Sequence, residues 1–324
     1  MGRYNLRRAE ELLLRVLERD ARSQLSVVGR RHRISQQQLS YSLGALERKG
    51  ILHSLYTVID YSKLNVLNFR VYFRVNYIAE ARMKQLLSAL NREPHTSFIA
   101  SCGGRYDLIC TFLAENPSQF NKTLRSIIAA FPEQLQNYTV LTTVVNRYFG
   151  RKYLLKDQPV EEIYGGDRKA EALDATDLAV LAELATNARK SSVAIAKKLK
   201  VTPKTVINRM RSLEKRRVIR CYRPLIDMEK LGGALSLLTI RYLNSPAEAQ
   251  DELVKALKVH PRVVWITKTF GEWDIELAVE TDSEQQLRKL ERELRERFAQ
   301  LIQTMDRIPI YQVHKLTYFP AFLA

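Results

Sequence analysis

Apolar residues recur at helical spacing in two stretches that match position for position: Leu39, Leu43 and Leu46, then Val206, Met210 and Leu213. The second stretch is the better marked. Before it, Leu173-Asp174 with Asp177 opens a helix that carries Leu178, Leu181, Leu184 and Ala185 on one side. Ser191-Ser192 then cap a segment with Ile195, Ala196 and Leu199 turned inward. In Lys200-Val201-Thr202-Pro203 the threonine suits an N-cap. The proline suits the first helical position, where a missing N–H costs nothing. Three short helices with a tight turn before the third are the grammar of a helix-turn-helix.

Both helical stretches are followed by a basic, β-rich run (residues 51–59 and 218–226) that reads as a wing or linking strand. Strand and helix patterns then alternate. The first half predicts strands over 69–77, 97–101, 106–112 and 138–148, with helices over 80–90 and 117–131. The second half repeats this with strands over 235–242, 263–269, 273–279 and 308–318 and helices over 247–257 and 283–298. The order βαββαβ is that of a ferredoxin-like sandwich. Sliding the chain by 167 residues puts Ala21-Arg22 on Ala188-Arg189, Leu46-Glu47 on Leu213-Glu214 and Asp60 on Asp227. The same offset, without insertion, puts Lys63-Leu64 on Lys230-Leu231 and Gly104/Asp107 on Gly271/Asp274. The predicted class is therefore α+β: two tandem copies of a winged helix-turn-helix followed by a βαββαβ domain. The expected divisions are 1–60, 61–156, 173–228 and 229–324. The polar stretch 157–172, with Pro159, Gly165 and Gly166, is expected to be a linker.

A formal charge of +17 and a pI near 9.8 suit a polyanionic partner, and duplex DNA is the partner expected. No apolar run reaches the roughly 20 residues that cross a bilayer. The basic N-terminus has no apolar segment behind it, so no signal peptide and no membrane partner are expected. Cys102, Cys110 and Cys221 have no metal-ligand spacing, and His32, His53, His95, His260 and His314 form no local cluster. No metal, cofactor or catalytic residue is assigned, the chain is expected not to be an enzyme, and its expected place is the cytoplasm, with the nucleoid.

At about 100° per residue, the face opposite Val206, Met210 and Leu213 carries Lys204, Asn208, Arg211 and Lys215, with Thr205 and Arg209 on a flank. Asn and Arg suit base edges in a major groove, while Lys and Thr suit phosphates. Lys198 and Lys200 stand just before this helix. In the first copy the corresponding face offers Gln37, Gln38 and Tyr41, with Arg31 and Arg33 in the preceding turn. That copy is either a reader of different sequence or a module that mostly holds phosphates. Two unlike recognition helices predict an asymmetric operator.

These residues resemble the Lrp/AsnC (feast/famine) family of transcription regulators. The resemblance rests on Leu173, Asp174 and Asp177, Asn187-Ala188-Arg189, Thr205-Val206, Arg209-Met210, Leu213-Glu214, Val218-Ile219, Asp227 and Leu231-Gly232. Gly104/Asp107 and Gly271/Asp274 match the family's turn in the βαββαβ sensor domain. There are departures: Arg217 stands where the pattern has Gly, which the first copy keeps as Gly50. The resemblance implies a sensor that binds a small effector, such as an amino acid, near those turns. The carried-over candidates are Gly103, Gly104, Arg105, Tyr106 and Asp107, with Gly271, Glu272, Trp273 and Asp274. It further implies an intramolecular pseudo-dimer that self-associates into homo-oligomers. Two alternatives remain at this point. One is a fused siroheme-decarboxylase-like enzyme, whose subunits are similar in architecture. The other is a non-specific, chromatin-type DNA binder that uses charge alone.

Overall fold

The computed structural model describes residues 4–76, 79–155, 161–244 and 246–324. The chain opens with α1 (Arg8–Arg19), α2 (Leu25–His32) and α3 (Gln36–Arg48), followed by β1 (Leu52–Ile59). Then come β2 (Leu67–Arg74), α4 (Glu80–Arg92), β3 (Thr96–Cys102), β4 (Leu108–Ala114), α5 (Pro117–Ala130) and β5 (Asn137–Tyr148). A short α6 (Lys152–Leu155) and β6 (Glu162–Gly165) lead into the second half. There, α7 (Ala175–Thr186), α8 (Ser192–Leu199) and α9 (Pro203–Lys215) precede β7 (Ile219–Ile226). The chain ends with β8 (Ala234–Tyr242), α10 (Ala247–Val259), β9 (Val263–Phe270), β10 (Ile275–Thr281), α11 (Glu284–Arg297) and β11 (Ile302–Leu316).

The two helix-turn-helix units pack against each other through an antiparallel ribbon of β1 and β7. Their contacts repeat across a pseudo-two-fold axis at the offset seen in the sequence. Ala21 N donates to Tyr222 O at 3.1 Å, and Ala188 N to Leu55 O at 2.9 Å. Asp60 N donates to Val218 O and Asp227 N to Ile51 O, both at 2.9 Å. Arg22 caps the Ala188 carbonyl, while Arg189 caps that of Ala21 at 3.0 Å. Leu13, Leu17, Leu39 and Leu46 share one core with Leu181, Leu184, Val206 and Leu213. Full burial of each leucine contributes about 1.5–3 kcal/mol, so neither unit is expected to stand well without the other.

The remaining strands join two βαββαβ units into one closed sheet. Within each unit the last strand lies beside the first, giving β5-β2-β4-β3 and β11-β8-β10-β9. β5 and β11 are long enough to cross over: the end of β5 pairs with β9, and the end of β11 pairs with β3. Eight strands thus close into a barrel, with β6 added outside β5. Alternation along each strand sorts the side chains. On β2, Phe69, Val71 and Phe73 face α4 and α5, packing on Leu86, Leu90 and Phe120. Leu238 and Ile240 on β8 do the same against Leu253, Leu257 and Leu290 of α10 and α11. The intervening positions, Tyr72 and Leu237 among them, point into the barrel.

Two departures from the expected layout have clear causes. Residues 162–165 lie in the stretch read as linker but form β6, a four-residue strand too short to show alternation, which pairs with the end of β5. β11 begins at Ile302, six residues ahead of expectation, because polar Gln303, Thr304, Asp306 and Arg307 hide its alternation. Tyr77 and Pro159 lie outside the described residues.

Candidate nucleic-acid interface and sensor turns

Helix α9 is held by local chemistry at both ends. Thr202 Oγ1 accepts from Thr205 N at 3.1 Å, a cap of about 1 kcal/mol, and Pro203 takes the first helical position. Val206, Met210 and Leu213 are buried, leaving Lys204, Asn208, Arg211 and Lys215 exposed. Among the described residues no hydrogen bond or ion pair engages those four side chains. Arg209 is differently placed: its guanidinium bonds Asp174 at 2.7 Å and Asp177 at 3.3 Å, so it ties α9 to the start of α7. The Asp177 backbone amide, with Arg209 adding to it, holds the Asp174 carboxyl below its usual value. Lys198 lies 2.5 Å from Glu183, and Lys200 closes α8 in the left-handed conformation at φ 54°. Thr205 spends its hydroxyl on Thr202 at 2.8 Å.

The first copy repeats the scaffold. Ser35 caps α3, accepting from Gln38 N at 3.1 Å, and Arg33 (φ 55°) takes the place of Lys200. Leu39 and Leu46 are buried, while Gln37, Gln38, Arg31 and Tyr41 are exposed, Tyr41 by 64%. Arg48 lies over the Tyr41 ring at 5.8 Å. The outer face of α3 is polar and nearly uncharged.

The two sensor turns meet at one end of the barrel. Asp107 Oδ2 accepts from Val75 N at 2.8 Å, and Asp274 Oδ2 from Tyr242 N at 2.7 Å, so each aspartate braces its own hairpin. Gly104, at φ 85°, makes the first turn. Arg105 and Glu272 occupy equivalent positions in the two copies and pair with each other. Glu272 also accepts from Thr139 at 3.0 Å. Tyr106 and Trp273, again equivalent, are buried with ring centroids 6.2 Å apart. Gly103 lies against the exposed Tyr311 ring, and Phe270, next to Gly271, is 78% exposed.

Sequence reasoning missed the charges inside the barrel. Glu276, fully buried, accepts from Arg70, from Tyr72 at 2.6 Å and from Trp273 Nε1 at 3.0 Å. Arg151 bridges Glu18 of α1 at 2.8 Å and Glu280 of β10 at 2.9 Å. Lys152, beside it, donates to Val263 O at 2.6 Å, and burial lowers its amine to about 8. A charged residue at an apolar strand position, as in Phe69-Arg70-Val71, was the available signal. Burial pushes the Cys102 and Cys221 thiols up to about 12, which makes them packing groups. Among the described residues no cluster of His, Cys, Asp and Glu is arranged to hold a metal, and no helix is long and apolar enough to cross a membrane.

Comparison with known proteins addresses the same elements. The AsnC-type helix-turn-helix domain matches residues 173–214, from the approach to α7 through most of α9. An uncharacterized HTH-type transcriptional regulator of Pyrococcus furiosus is 33% identical over 122 residues, covering 37% of this chain and 81% of that protein. The chain belongs to the Lrp/AsnC family. The leucine-responsive regulatory protein of Haemophilus influenzae, 27% identical over 124 residues, covers 38% of the chain and 75% of its own length. The chain is thus an AsnC-type transcription regulator by sequence kinship. A different likeness spans the whole fold. The solved siroheme decarboxylase NirDL superposes with a TM-score of 0.62 over 97% of this chain and 94% of that one, at 12% identity. The same protein in complex with an iron-uroporphyrin III analogue gives 0.61. This corrects the expectation that the chain is not an enzyme, because the same two-copy architecture, matched along nearly its whole length, serves an enzyme.

Proposed function

We propose that this Lrp/AsnC protein binds duplex DNA by laying α9 in a major groove, with α3 of the first copy engaging the neighbouring stretch. The observation that carries this reading is the set Lys204, Asn208, Arg211 and Lys215: exposed, unengaged, and on the face opposite a buried stripe. Thr205, Arg209, Lys198 and Lys200 support that face from its flank and base. Arg31, Arg33, Gln37, Gln38 and Tyr41 form the lesser surface. The fused pair acts as one asymmetric unit, so the operator is asymmetric. Division into 1–60, 61–156, 173–228 and 229–324 belongs to the same proposal, as does residence in the cytoplasm with the nucleoid.

The sensor function rests on the turn residues Gly103–Asp107 and Gly271–Asp274. An amino-acid effector would present its ammonium group to Glu272 and its carboxylate to turn amides and Arg105. The exposed Phe270 and Tyr311 beside these turns support self-association at the same end. Binding of genomic fragments with sequence readout, for wild type and for Lys204→Ala/Asn208→Ala/Arg211→Ala, tests the reading. Discrete asymmetric sites lost in the variant support it, whereas unselective binding untouched by the variant leaves charge alone.

A second reading, decarboxylation of an iron tetrapyrrole, is favoured by the full-length superposition on siroheme decarboxylase. It predicts a bound tetrapyrrole absorbance when the purified chain is mixed with that compound, and release of carbon dioxide. Neither signal appearing would remove it.

A further inference from the structure

Between the barrel interior and the β1/β7 ribbon lies a cavity of about 130 Å³. Its two walls come from different copies and differ in kind. One wall carries Asn68, Arg70, Thr143 and Asn146; the positions 167 residues later, on the other wall, are Leu235, Leu237, Ile310 and Val313. In these four pairs every polar member belongs to the first copy, although Thr267, Glu280 and Thr317 of the second copy also line the cavity. The duplication therefore diverged where the two halves enclose space. Ring faces of Phe98 and its counterpart Trp265, with Tyr318, line the cavity as well.

The polar wall is incompletely bonded. Arg70 is 8% exposed; it bonds Glu276, but its Nε has no partner. Asn146, 7% exposed, accepts from Thr267 at 2.9 Å, while its Nδ2 has no partner within hydrogen-bond distance and faces only the equally unbonded Tyr61 hydroxyl. Buried donors are rarely left unmade, and both of these belong to side chains lining the cavity. Charge is balanced nearby: the guanidinium groups of Arg70, Arg151 and Arg223 stand with the carboxylates of Glu276, Glu18 and Glu280. An entering carboxylate would be uncompensated in this interior, whereas a neutral acceptor oxygen would satisfy the donors without adding charge.

We propose that this cavity is a binding site for a small, uncharged aromatic compound bearing an acceptor oxygen, such as an aromatic amide or ketone. The oxygen faces Arg70 and Asn146, and the ring lies against the leucine wall. A cavity of about 150 Å³ holds benzene, so one of about 130 Å³ limits the ligand to a single small ring whose acceptor group reaches toward the opening. Because Tyr56 of β1 and Leu225 of β7 also line it, an occupant touches the ribbon that joins the two helix-turn-helix units. The site is separate from the sensor turns and stands whether or not the chain binds DNA.

The test is calorimetric titration of the full chain with benzamide and with benzoate, repeated in Leu113→Phe, which fills the cavity, and in Asn146→Leu, which removes one unpaired donor. Benzamide is expected to bind wild type saturably and at least about tenfold more weakly in both variants. Circular dichroism and a cooperative melt establish that each variant is folded. Should Leu113→Phe fail to fold, Asn146→Leu alone decides. Absence of saturable benzamide binding to wild type, or binding unchanged in a folded variant, overturns the site. Benzoate binding more tightly than benzamide overturns the assignment to an uncharged ligand.

Discussion

Helices α3 and α9 occupy equivalent places, and their inward stripes are of one kind: Leu39, the partly buried Leu43 and Leu46 against Val206, Met210 and Leu213. Their outer faces share little, glutamines and a tyrosine on α3 facing lysines, an arginine and an asparagine on α9. Between β2 and β8 the contrast reverses. There the outward residues pack against similar helices in both copies, while the inward ones diverge, Arg70 against Leu237 and, on β4 and β10, Ile109 against Glu276. Packing common to both copies resists change because each side chain must fit close-packed neighbours. Where the two halves face each other across the pseudo-dyad, a change in one copy can be met by a complementary change in the other. Divergence is therefore found at the outer faces of α3 and α9 and at the shared interior.

The largest expected effect comes from making the barrel interior more symmetric. Glu276→Ile gives β10 the residue of β4 but leaves Arg70 buried without its carboxylate, a loss of about 3–5 kcal/mol in chemical denaturation. Arg70→Leu/Glu276→Ile gives both positions the other copy's residue, and it should recover most of that stability. If the double variant is as weak as the single one, the pair is more than mutual compensation.

Next is the contrast between the recognition helices. Lys204→Ala/Asn208→Ala/Arg211→Ala should weaken specific DNA binding by about 3 kcal/mol or more, and lower the salt slope by about 2. Gln37→Ala/Gln38→Ala/Tyr41→Ala should cost less than about 1.4 kcal/mol, within a factor of ten. Equal losses measured by fluorescence anisotropy would abolish the distinction between the two readers.

Lys152 offers a smaller, pH-dependent asymmetry, since its counterpart is the buried Phe319. Its folded amine lies near 8 and its usual value is 10.5, so between these the unfolded chain binds more protons. Stability from this group is reduced below pH 8 and returns as pH rises through that window, by about 3 kcal/mol at most. Melting curves from pH 7.5 to 10 should show the rise, and Lys152→Met should flatten it.

The smallest effect is at the end of the recognition helices. Gly50 and Arg217 both adopt positive φ, 68° and 60°, but only glycine does so without strain. Arg217→Gly should stabilise by about 0.5–1 kcal/mol, less whatever its exposed bond to Glu162 contributes. A lower melting temperature instead would show that the ion pair outweighs the backbone strain.

Much of the scaffold could be read along the chain. Thr202-Pro203, the stripe from Val206 to Leu213 and the unbroken offset act through neighbours a few residues apart, or through a repeat, and both leave a local trace. The outward face of α9 followed from helical geometry, although Arg209 proved to be held by Asp174 and Asp177, because the step of about 100° from Asn208 turns it toward α7. Glu276 left only the trace of a charge between Ile275 and Leu277, and neither its partner nor the cavity could be read locally, since Arg70 is 206 residues from Glu276.

The sequence alone determined the repeat, the helix-turn-helix grammar, the βαββαβ order and the exposed basic face of α9. Each depends on periodicity, capping or composition, which are properties of short segments. Only the tertiary structure decided that β5 and β11 cross over to close the barrel, which residues of unlike copies stand opposite each other, and where a space remains between them. Those depend on contacts between halves, and the pattern within either half is compatible with many such pairings.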